Sequence, residues 1–223
     1  MSKPKVITAI SLISGGIDSP IAAHIIMNEG LRIGVEINIV FLHFSTKKFG
    51  DPREIEKVRE LIKKLSSIHK KRFKLYIVPY DAFHEKTMRT GKSKYHCIIC
   101  KRTMLRIAEE IARREGASFI ITGENLGQVA SQTLSNMKVI DSVVKLPILK
   151  PLLVFDKEET MNIAKKIGTY EISIIKTQGC KALPKRPATK SELYKIEEEE
   201  EKLGVRDIIN ELLKYKKLDI LNT

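Results

Sequence analysis

The sequence predicts an α/β fold in which helices cover both faces of an open, mostly parallel sheet. Apolar, β-branched runs alternate with segments whose apolar residues recur at helical spacing through residues 6–122. The run at residues 35–44 ends as a continuous apolar stretch, which is typical of a strand buried on both faces of a parallel sheet. Gly15 and Gly16 separate the first strand-like run from the first helical segment, as in a strand, turn and helix.

Local patterns predict each strand and helix of this first part. Apolar, β-branched composition predicts four strands, at residues 6–13, 35–44, 74–79 and 118–122. Helical spacing and start or stop signals predict helices at residues 19–29, 53–70, 82–89 and 101–115, and one more after the turn at Gly123. The helix at residues 53–70 has the clearest pattern, because its apolar residues fall on one stripe.

The last part of the chain is predicted to be mainly helical. Prolines bound the core of the apolar stretch 147–155, so we expect an extended crossing segment there rather than a central strand. Asp156 is expected to cap a helix that runs to residue 167. Two further helices are predicted at residues 191–203 and 205–215.

A domain boundary is predicted near residue 175. Residues 176–190 lack periodicity, contain Cys180 and carry several basic side chains, so they read as a loop. The acidic run at residues 197–201 is interpreted as a solvated helix face. We therefore expect a nucleotide-binding domain at residues 1–175, with the basic cysteine loop and C-terminal helices of residues 176–223 packed on the same domain.

Composition limits the partners and the compartment. The 223 residues include 40 Lys and Arg against 27 Asp and Glu, a net charge of +13 that favours an anionic partner such as nucleic acid. The alternative is a lysine-rich surface that serves solubility or heat stability. Three cysteines, with neither a signal peptide nor a membrane-spanning run, favour a reducing, cytoplasmic location without a disulfide framework.

The glycine loop, defined as residues 14–20, has the chemistry of a phosphate site. Gly15 and Gly16 let bare backbone N–H groups approach a ligand, and Ser14 and Ser19 add hydroxyl groups at a helix N-terminus. The loop lacks the Gly-Lys-Ser/Thr of the Walker motif and the third glycine of the dinucleotide fingerprint. An ordinary strand-to-helix turn is the alternative on spacing alone.

Two other strand ends are expected to meet this loop. Phe44 and Gly123 both follow predicted strands, and the carboxyl ends of parallel strands share one edge of a sheet, where ligands bind. On the helix predicted after Gly123, Gln128 and Gln132 lie four residues apart, where their amides can contact a base or a sugar or face solvent. This convergence favours the phosphate site over an ordinary turn.

The cysteines permit several chemistries. Cys97 and Cys100 form a Cys-x-x-Cys pair before a helix opened by Lys101 and Arg102, and Cys180 lies far away in the basic loop. The pair fits a redox couple, two structural thiols, or half of a zinc site beside His96. Together with Cys180 it also fits a 4Fe-4S cluster that has one open iron position.

Several motifs carry a family resemblance. The stretch Ser14-Gly15-Gly16-Ile17-Asp18-Ser19-Pro20 resembles the PP-loop of ATP pyrophosphatases, which have an adenine nucleotide alpha hydrolase-like fold. The segments at residues 122–134, 146–152, 156–159 and 167–174 resemble the tRNA 4-thiouridine synthetase (ThiI) family. The similarity covers about residues 6–190, and its Cys-x-x-Cys pair is similar to that of archaeal-type members.

The resemblance implies an ATP-dependent tRNA sulfurtransferase that adenylates O4 of a uridine, at position 8, and replaces this oxygen with sulfur. It implies that ATP and Mg²⁺ bind at Ser14, Gly15, Gly16, Asp18 and Ser19, with Phe44, Gly123 and Gln132 as further nucleotide contacts. Alternatives are a PP-loop thiolase for another tRNA uridine or cytidine, and a non-catalytic tRNA-binding subunit.

The resemblance also implies roles around the cysteines. Lys101 and Arg102 are candidates to neutralise phosphate charge, with a solvated first helical turn as the alternative. Cys97, Cys100 and Cys180 would hold a 4Fe-4S cluster, with zinc as the alternative metal. Cys180 occupies the place of the family's catalytic-loop cysteine and would carry sulfur as a persulfide if no cluster binds sulfide.

The sequence departs from the usual family pattern at both ends. It begins almost at the PP-loop strand, whereas family members usually carry an N-terminal ferredoxin-like region and a THUMP domain that grip tRNA. A rhodanese domain, which delivers persulfide sulfur in some members, is also absent. The expected partners are therefore tRNA, a sulfur donor and a separate THUMP-type protein, and a homodimer is compatible with this interpretation.

Overall fold

The computed structural model describes residues 5–222, which form one six-stranded sheet in the order β5-β4-β1-β2-β3-β6. Strands β1 to β5 are parallel, and β6 is antiparallel to β3. The elements in chain order are β1 (Lys5–Leu12), α1 (Asp18–Arg32), β2 (Val35–Ser45), α2 (Glu54–His69), β3 (Phe73–Pro79), α3 (Asp81–Thr90), α4 (His96–Glu115), β4 (Phe119–Ile121), α5 (Leu134–Asp141), β5 (Ile148–Leu149), α6 (Lys157–Ile167), α7 (Tyr170–Ser173), α8 (Leu193–Leu203), α9 (Val205–Lys214) and β6 (Lys217–Leu221).

The predicted fold class is confirmed, because both faces of the sheet are covered by helices. Along β2, Val40 and Leu42 pack into a core with α3, α4, α5, α8 and α9. Ile39 and Phe41 point the other way and pack with α1, α2 and α6. Successive strand side chains alternate between faces, so a central strand buried on both sides carries consecutive apolar residues, as at residues 39–42.

The region after Gly123 differs from the prediction. Instead of a helix, residues 122–129 form an irregular loop, a 3-10 turn covers Ala130–Gln132, and α5 begins only at Leu134. Gly127 adopts a left-handed φ of 77°, which interrupts any helix at that point. The helix starts where Thr133 can cap it, since the Thr133 hydroxyl accepts a hydrogen bond from the Asn136 N–H at 3.3 Å.

Helix α4 begins earlier than predicted. It starts at His96, so Cys97 and Cys100 lie within its first turns rather than before it. Ile98 and Ile99 are buried with the rest of the helix's apolar stripe, which therefore extends through the cysteine pair. By contrast, the predicted cap of α6 is confirmed: the Asp156 carboxylate accepts a hydrogen bond from the Glu159 N–H at 2.7 Å.

Two edge strands were not predicted as such. The stretch 147–155 contributes β5, a two-residue strand that pairs with β4 at one edge of the sheet. At the other edge, β6 pairs with β3 over Phe73 to Ile77. Its charged residues give β6 a polar pattern, which an edge strand tolerates because one of its faces meets water.

The acidic run at residues 197–201 is not a fully solvated face, as the sequence analysis expected. Glu199 and Glu200 are only 3% and 6% exposed, because they meet cations and N–H groups of neighbouring elements. Residues after 175 lie on the same sheet, since α8 and α9 share a core with α4 and β6 joins β3. Within residues 5–222, no helix has the length and apolarity needed to cross a bilayer.

Candidate functional site

The glycine loop lies at the carboxyl edge of the sheet, between β1 and α1. Ser19 organises it: its hydroxyl accepts a hydrogen bond from the Ser14 N–H at 2.9 Å and lies 3.2 Å from the Ser14 carbonyl oxygen. The Gly16 N–H contacts the Ser14 hydroxyl at 3.3 Å, and both residues are exposed. The loop therefore holds backbone N–H groups and hydroxyls at a helix N-terminus, which suits a phosphate.

The turn after β4 meets this loop directly. A Cβ atom at Gly123 would lie 2.7 Å from the Ser19 backbone nitrogen and 2.9 Å from the Asp18 carbonyl carbon. Only a glycine allows such close backbone contact. Thr122, immediately before it, is 6% exposed, and its hydroxyl has no hydrogen-bond partner within residues 5–222. The convergence of these two strand ends agrees with the expectation from the sequence.

We expect Gly123→Ala to disrupt this junction. The added methyl group has to push the backbone of α1 away, which costs about 2 kcal/mol of stability and displaces the glycine loop. Thermal unfolding and calorimetric ATP binding measure both effects. Gly179→Ala is the control, because a Cβ atom there meets no atom within 4 Å. Equal effects from the two substitutions would contradict the close-contact explanation.

Asp18 opens α1 and has an isolated carboxylate. Burial raises the pKa of Asp18, and no charged neighbour among the described residues offsets this cost. A half-buried carboxylate at the mouth of a phosphate loop is a natural ligand for a cation that accompanies a polyphosphate. The residue stays a candidate for that role.

Glu54 and Lys57, from the first turns of α2, also reach the glycine loop. The Gly15 N–H donates to the Glu54 carboxylate at 3.2 Å. The side chain of Lys57 packs against Gly15, and its ammonium group donates to the carbonyl oxygen of Ile175 at 2.8 Å. Burial lowers the pKa of Lys57, although Glu54 opposes this shift. The sequence did not predict Lys57 as a site residue.

Two other predicted nucleotide contacts have distinct surroundings. The ring of Phe44 packs edge-on against Tyr80 with centroids 5.0 Å apart, so it forms a wall at the end of β2. Gln132 lies in the 3-10 turn rather than on a helix, and its side-chain oxygen is buried without a partner among residues 5–222. An unsatisfied amide oxygen is a ready acceptor for a ligand N–H group.

The three cysteines are electrostatic neighbours. Burial raises the pKa of Cys97, and a thiolate at Cys180 raises it further. Burial also holds the pKa of Cys100 far above its usual value, and both other thiolates add to this effect. Cys180 is exposed, whereas the other two thiols are half-buried. A charge on Cys180 therefore acts on both cysteines of α4, although Cys180 comes from a distant segment of the chain.

Backbone contacts hold the Cys180 loop at the same edge of the sheet. The Lys181 N–H donates to the Phe49 carbonyl oxygen at 2.7 Å, and the Gln178 N–H donates to the Asp51 carboxylate at 3.1 Å. Thiolates are the usual ligands of iron-sulfur clusters, so the donor set fits such a cluster in its chemistry. No group of three Cys, His, Asp or Glu side chains within residues 5–222 is arranged to hold a metal ion.

Comparison with known proteins decides the family. The family model described as thiamine biosynthesis protein (ThiI) matches residues 6–205. The chain belongs to the ThiI family. This confirms the resemblance that the glycine loop and the downstream motifs indicated, and the glycine loop is from here on called the PP-loop.

Two relatives and one solved structure show what this ThiI-family chain is similar to. A probable tRNA sulfurtransferase of Moorella thermoacetica is 41% identical over 91% of this chain and 50% of its own length. Another, of Methanothermobacter thermautotrophicus, is 38% identical over 92% of this chain and 51% of its own. The crystal structure of a 4-thiouridine synthetase–RNA complex with bound ATP superposes with a TM-score of 0.88 and 36% identity, covering 96% of this chain and 55% of that one. The chain thus spans about half the length of these relatives.

Lys101 of this ThiI-family chain lies in a partly buried ion network. Its ammonium group is 2.6 Å from the Glu124 carboxylate, which also meets Lys150 at 2.7 Å. Lys150 in turn contacts Asp141 at 2.8 Å. Burial alone would raise the pKa of Glu124, but the two ammonium groups hold it below its usual value. Glu124 therefore holds Lys150 and Lys101, and Lys101 is the residue that follows Cys100.

Arg102 does not fit the role expected from the sequence. It is 1% exposed, and its guanidinium donates to the Glu200 carboxylate at 2.7 and 3.1 Å and to the Ser142 hydroxyl at 3.1 Å. A guanidinium sealed between α4, α5 and α8 cannot neutralise a substrate phosphate, and it is not a solvated residue either. It holds α8 onto the domain.

We expect Arg102→Ala to destabilise the fold by about 3 kcal/mol. The substitution leaves the buried Glu200 carboxylate with only Arg106 as its partner. Chemical denaturation measures the loss. Arg106→Ala is the control and should cost about 1 kcal/mol, because Arg106 is more exposed and leaves the Arg102 pair intact. Equal losses would contradict the assignment of Arg102 as the main tie between α4 and α8.

Proposed function

We propose that this chain is the catalytic part of an ATP-dependent tRNA sulfurtransferase that converts a tRNA uridine, at position 8, into 4-thiouridine. The proposal is supported by the position of the PP-loop, the start of α4 and the Cys180 loop at the carboxyl edge of the sheet. It is also supported by the match of this chain to an ATP- and RNA-bound 4-thiouridine synthetase over 96% of its length. ATP-dependent thiolation would require both the nucleotide and the transferred sulfur at that edge.

Activation of the uridine is assigned to the PP-loop side. O4 of uridine attacks the α-phosphorus of ATP, pyrophosphate leaves, and the oxygen becomes part of a good leaving group. The loop N–H groups and Ser19 would bind the phosphates, and Asp18 would hold Mg²⁺ against them. Lys57, whose side chain packs against Gly15, replaces Arg102 in our account as the cation that offsets phosphate charge. Its ammonium group would exchange the Ile175 carbonyl oxygen for a phosphate oxygen. Lys101 lies closer to the cysteines.

Sulfur transfer is assigned to the cysteine side. A sulfide-level nucleophile attacks C4 and AMP leaves with the former O4, so the uridine gains sulfur without a change in oxidation state. Cys97, Cys100 and Cys180 would hold a 4Fe-4S cluster, which when bound offers an open iron position for sulfide. Zinc is the alternative metal. A persulfide on Cys180 is the alternative sulfur carrier: its outer sulfur would attack C4 and expel AMP, and a thiolate of Cys97 or Cys100 would then attack Cys180 Sγ. The thiolated uridine would leave, a disulfide would form between the two cysteines, and an external thiol would reduce it for the next turnover. The partners in this proposal are tRNA, a sulfur donor and a THUMP-type tRNA-binding protein.

Metal analysis separates these cysteine chemistries. We expect protein purified without oxygen to be brown and to contain about four iron and four sulfide per chain, as a 4Fe-4S cluster requires. Cys97→Ser should lose both, since serine oxygen is a poor ligand for iron in clusters. Stoichiometric zinc in a colourless sample would overturn the cluster and leave the zinc alternative.

Nucleoside analysis of a deletion strain tests the proposed function in the cell. We expect 4-thiouridine to disappear from its tRNA and to return when the wild-type chain is restored. Unchanged 4-thiouridine together with the loss of another thiolated nucleoside would assign the chain to a different PP-loop thiolase. No change in any thiolated nucleoside would favour a non-catalytic tRNA-binding subunit.

A further inference from the structure

A cavity of about 830 Å³ lies between α3, the turn before α4 and the basic loop that follows Cys180. One wall follows α3 and the turn before α4, and ends at His96, next to Cys97. The opposite wall is the basic loop, beginning at Ala182, two residues after Cys180. We call this the cysteine-side cleft, and we define its charged rim as Lys92, Lys94, Lys185 and Arg186.

The charges of this rim are largely uncompensated. Among the described residues, only Lys92 has a carboxylate within 4.0 Å, that of Glu199. Lys94 lies over the ring of Tyr95, 4.8 Å from its centroid, which positions the ammonium group without neutralising it. Lys185 and Arg186 are exposed. Four cations around one cavity attract an anion that carries several charges along its length.

The cleft also exposes apolar surface between these cations. Leu183 and Met88 are 64% and 52% exposed, and Pro184 lines the cavity beside them. Apolar surface rimmed by charge marks a binding site for a molecule with both characters. An unpaired nucleic acid strand has both, because its phosphates meet the cations while its bases offer flat apolar faces. A duplex presents mainly its phosphates.

The cleft is built into the fold. The Ala188 N–H donates to the Lys94 carbonyl oxygen at 3.0 Å, which ties the basic loop to the opposite wall. Beyond it, the Asn136 side chain donates to the Ala188 carbonyl oxygen at 2.9 Å and accepts from the Ser191 hydroxyl at 2.7 Å. These contacts anchor the loop on α5, so binding does not have to pay the full cost of ordering it.

We propose that the cysteine-side cleft binds an unpaired RNA segment next to the nucleoside that is thiolated, with phosphates on Lys94, Lys185 and Arg186 and a base against Leu183. The proposal rests on the proposed function for the identity of the nucleoside. It gives this chain an RNA contact of its own, separate from any tRNA-binding partner.

A second basic cleft provides a matched control. It lies between the C-terminal half of α4 and α9, with Arg206 and Lys214 exposed on its rim. Helix α4 starts at the carboxyl ends of the strands and leads back to the start of β4. This second cleft therefore lies toward the end of the sheet at which the parallel strands begin. Lys185→Glu/Arg186→Glu and Arg206→Glu/Lys214→Glu change the net charge equally but at different places.

The test compares binding of a fluorescent single-stranded RNA to the two double variants by anisotropy at several salt concentrations. We expect Lys185→Glu/Arg186→Glu to weaken binding at least tenfold and to lower the salt slope by about 0.7 for each lost phosphate contact. Arg206→Glu/Lys214→Glu should change binding less than threefold. Leu183→Ser should weaken binding of the single strand but leave binding of a duplex of the same length unchanged. ATP binding should persist in all three variants, which shows that they fold.

Other outcomes overturn the proposal. Equal losses in the two double variants would show attraction by net charge alone. If Lys185→Glu/Arg186→Glu weakens binding of polyglutamate as much as binding of RNA, the cleft is a general polyanion site. That result would favour an acidic protein as the partner. If the wild-type chain binds RNA in the cleft but forms no 4-thiouridine, the proposed function is wrong and the RNA-binding role of the cleft stands. If the wild-type chain forms 4-thiouridine and Lys185→Glu/Arg186→Glu loses no RNA binding, the role proposed for the cleft is wrong and the proposed function stands.

Discussion

Replacing Asp18 with asparagine should lower ATP-dependent thiolation at least a thousandfold. The carboxylate stands at the start of α1 beside the N–H groups of the PP-loop, where a divalent cation on the triphosphate needs an anionic oxygen. Asparagine keeps the shape but removes the charge. Steady-state formation of pyrophosphate and of thiolated nucleoside, measured with saturating tRNA, reports the loss. Binding of tRNA should be unchanged, since the role proposed for the carboxylate is in ATP binding.

The same substitution should leave the protein as stable as the wild type or raise its Tm. Burial raises the pKa of Asp18, so above that pKa the ionised carboxylate opposes folding, and asparagine removes this cost. Asp207→Asn, on the exposed first turn of α9, is the charge-matched control and should keep full activity. Retained thiolation in Asp18→Asn would show that the PP-loop is not the ATP site. Lost activity together with a lower Tm would contradict the assigned role.

Cys180→Ser should abolish formation of 4-thiouridine while leaving adenylation intact. The exposed thiol is the most accessible of the three, and serine neither carries a persulfide nor binds iron or sulfide well. We expect at least a hundredfold loss of thiolated product, measured by mass analysis of tRNA nucleosides. Pyrophosphate release that depends on tRNA should stay within about threefold of wild type, because the PP-loop is untouched.

Iron content distinguishes the two roles open to Cys180. Loss of iron in Cys180→Ser assigns it as a cluster ligand, whereas retained iron with lost thiolation assigns it as the sulfur carrier. Ser142→Ala, at the far end of the buried Arg102 contacts, is a control that should keep both iron and activity. Full thiolation by Cys180→Ser would overturn both roles and exclude this cysteine from the chemistry.

The central sheet could be predicted because its signals are local. Residues 39–42 are a continuous apolar run, and they lie in Val35–Ser45, which is indeed the strand buried on both faces. Strand β6 could not be found in the same way. Its alternating Lys217, Leu218 and Asp219 resemble a solvated tail, and it becomes a strand only by pairing with the edge of β3, which is distant in sequence.

Some features of the site could be predicted from local sequence patterns, whereas others depend on residues that are distant in the sequence. The approach of Gly123 to the PP-loop followed from the rule that parallel strands end at one edge. The burial of Arg102 could not be anticipated, because its partner Glu200 lies 98 residues further along the chain. Lys57 did leave a signal, since a lysine on the buried stripe of α2 next to Val58 needs a polar partner, which is the Ile175 carbonyl oxygen.

The most direct test of the account is a reconstituted reaction of this chain with tRNA, ATP, Mg²⁺ and sulfide in the absence of oxygen, analysed by mass spectrometry of the tRNA nucleosides. The account predicts 4-thiouridine at position 8, formed with one pyrophosphate and one AMP per thiolated uridine and only when ATP is present. Release of pyrophosphate without tRNA dependence, or thiolation that proceeds without ATP, would contradict it.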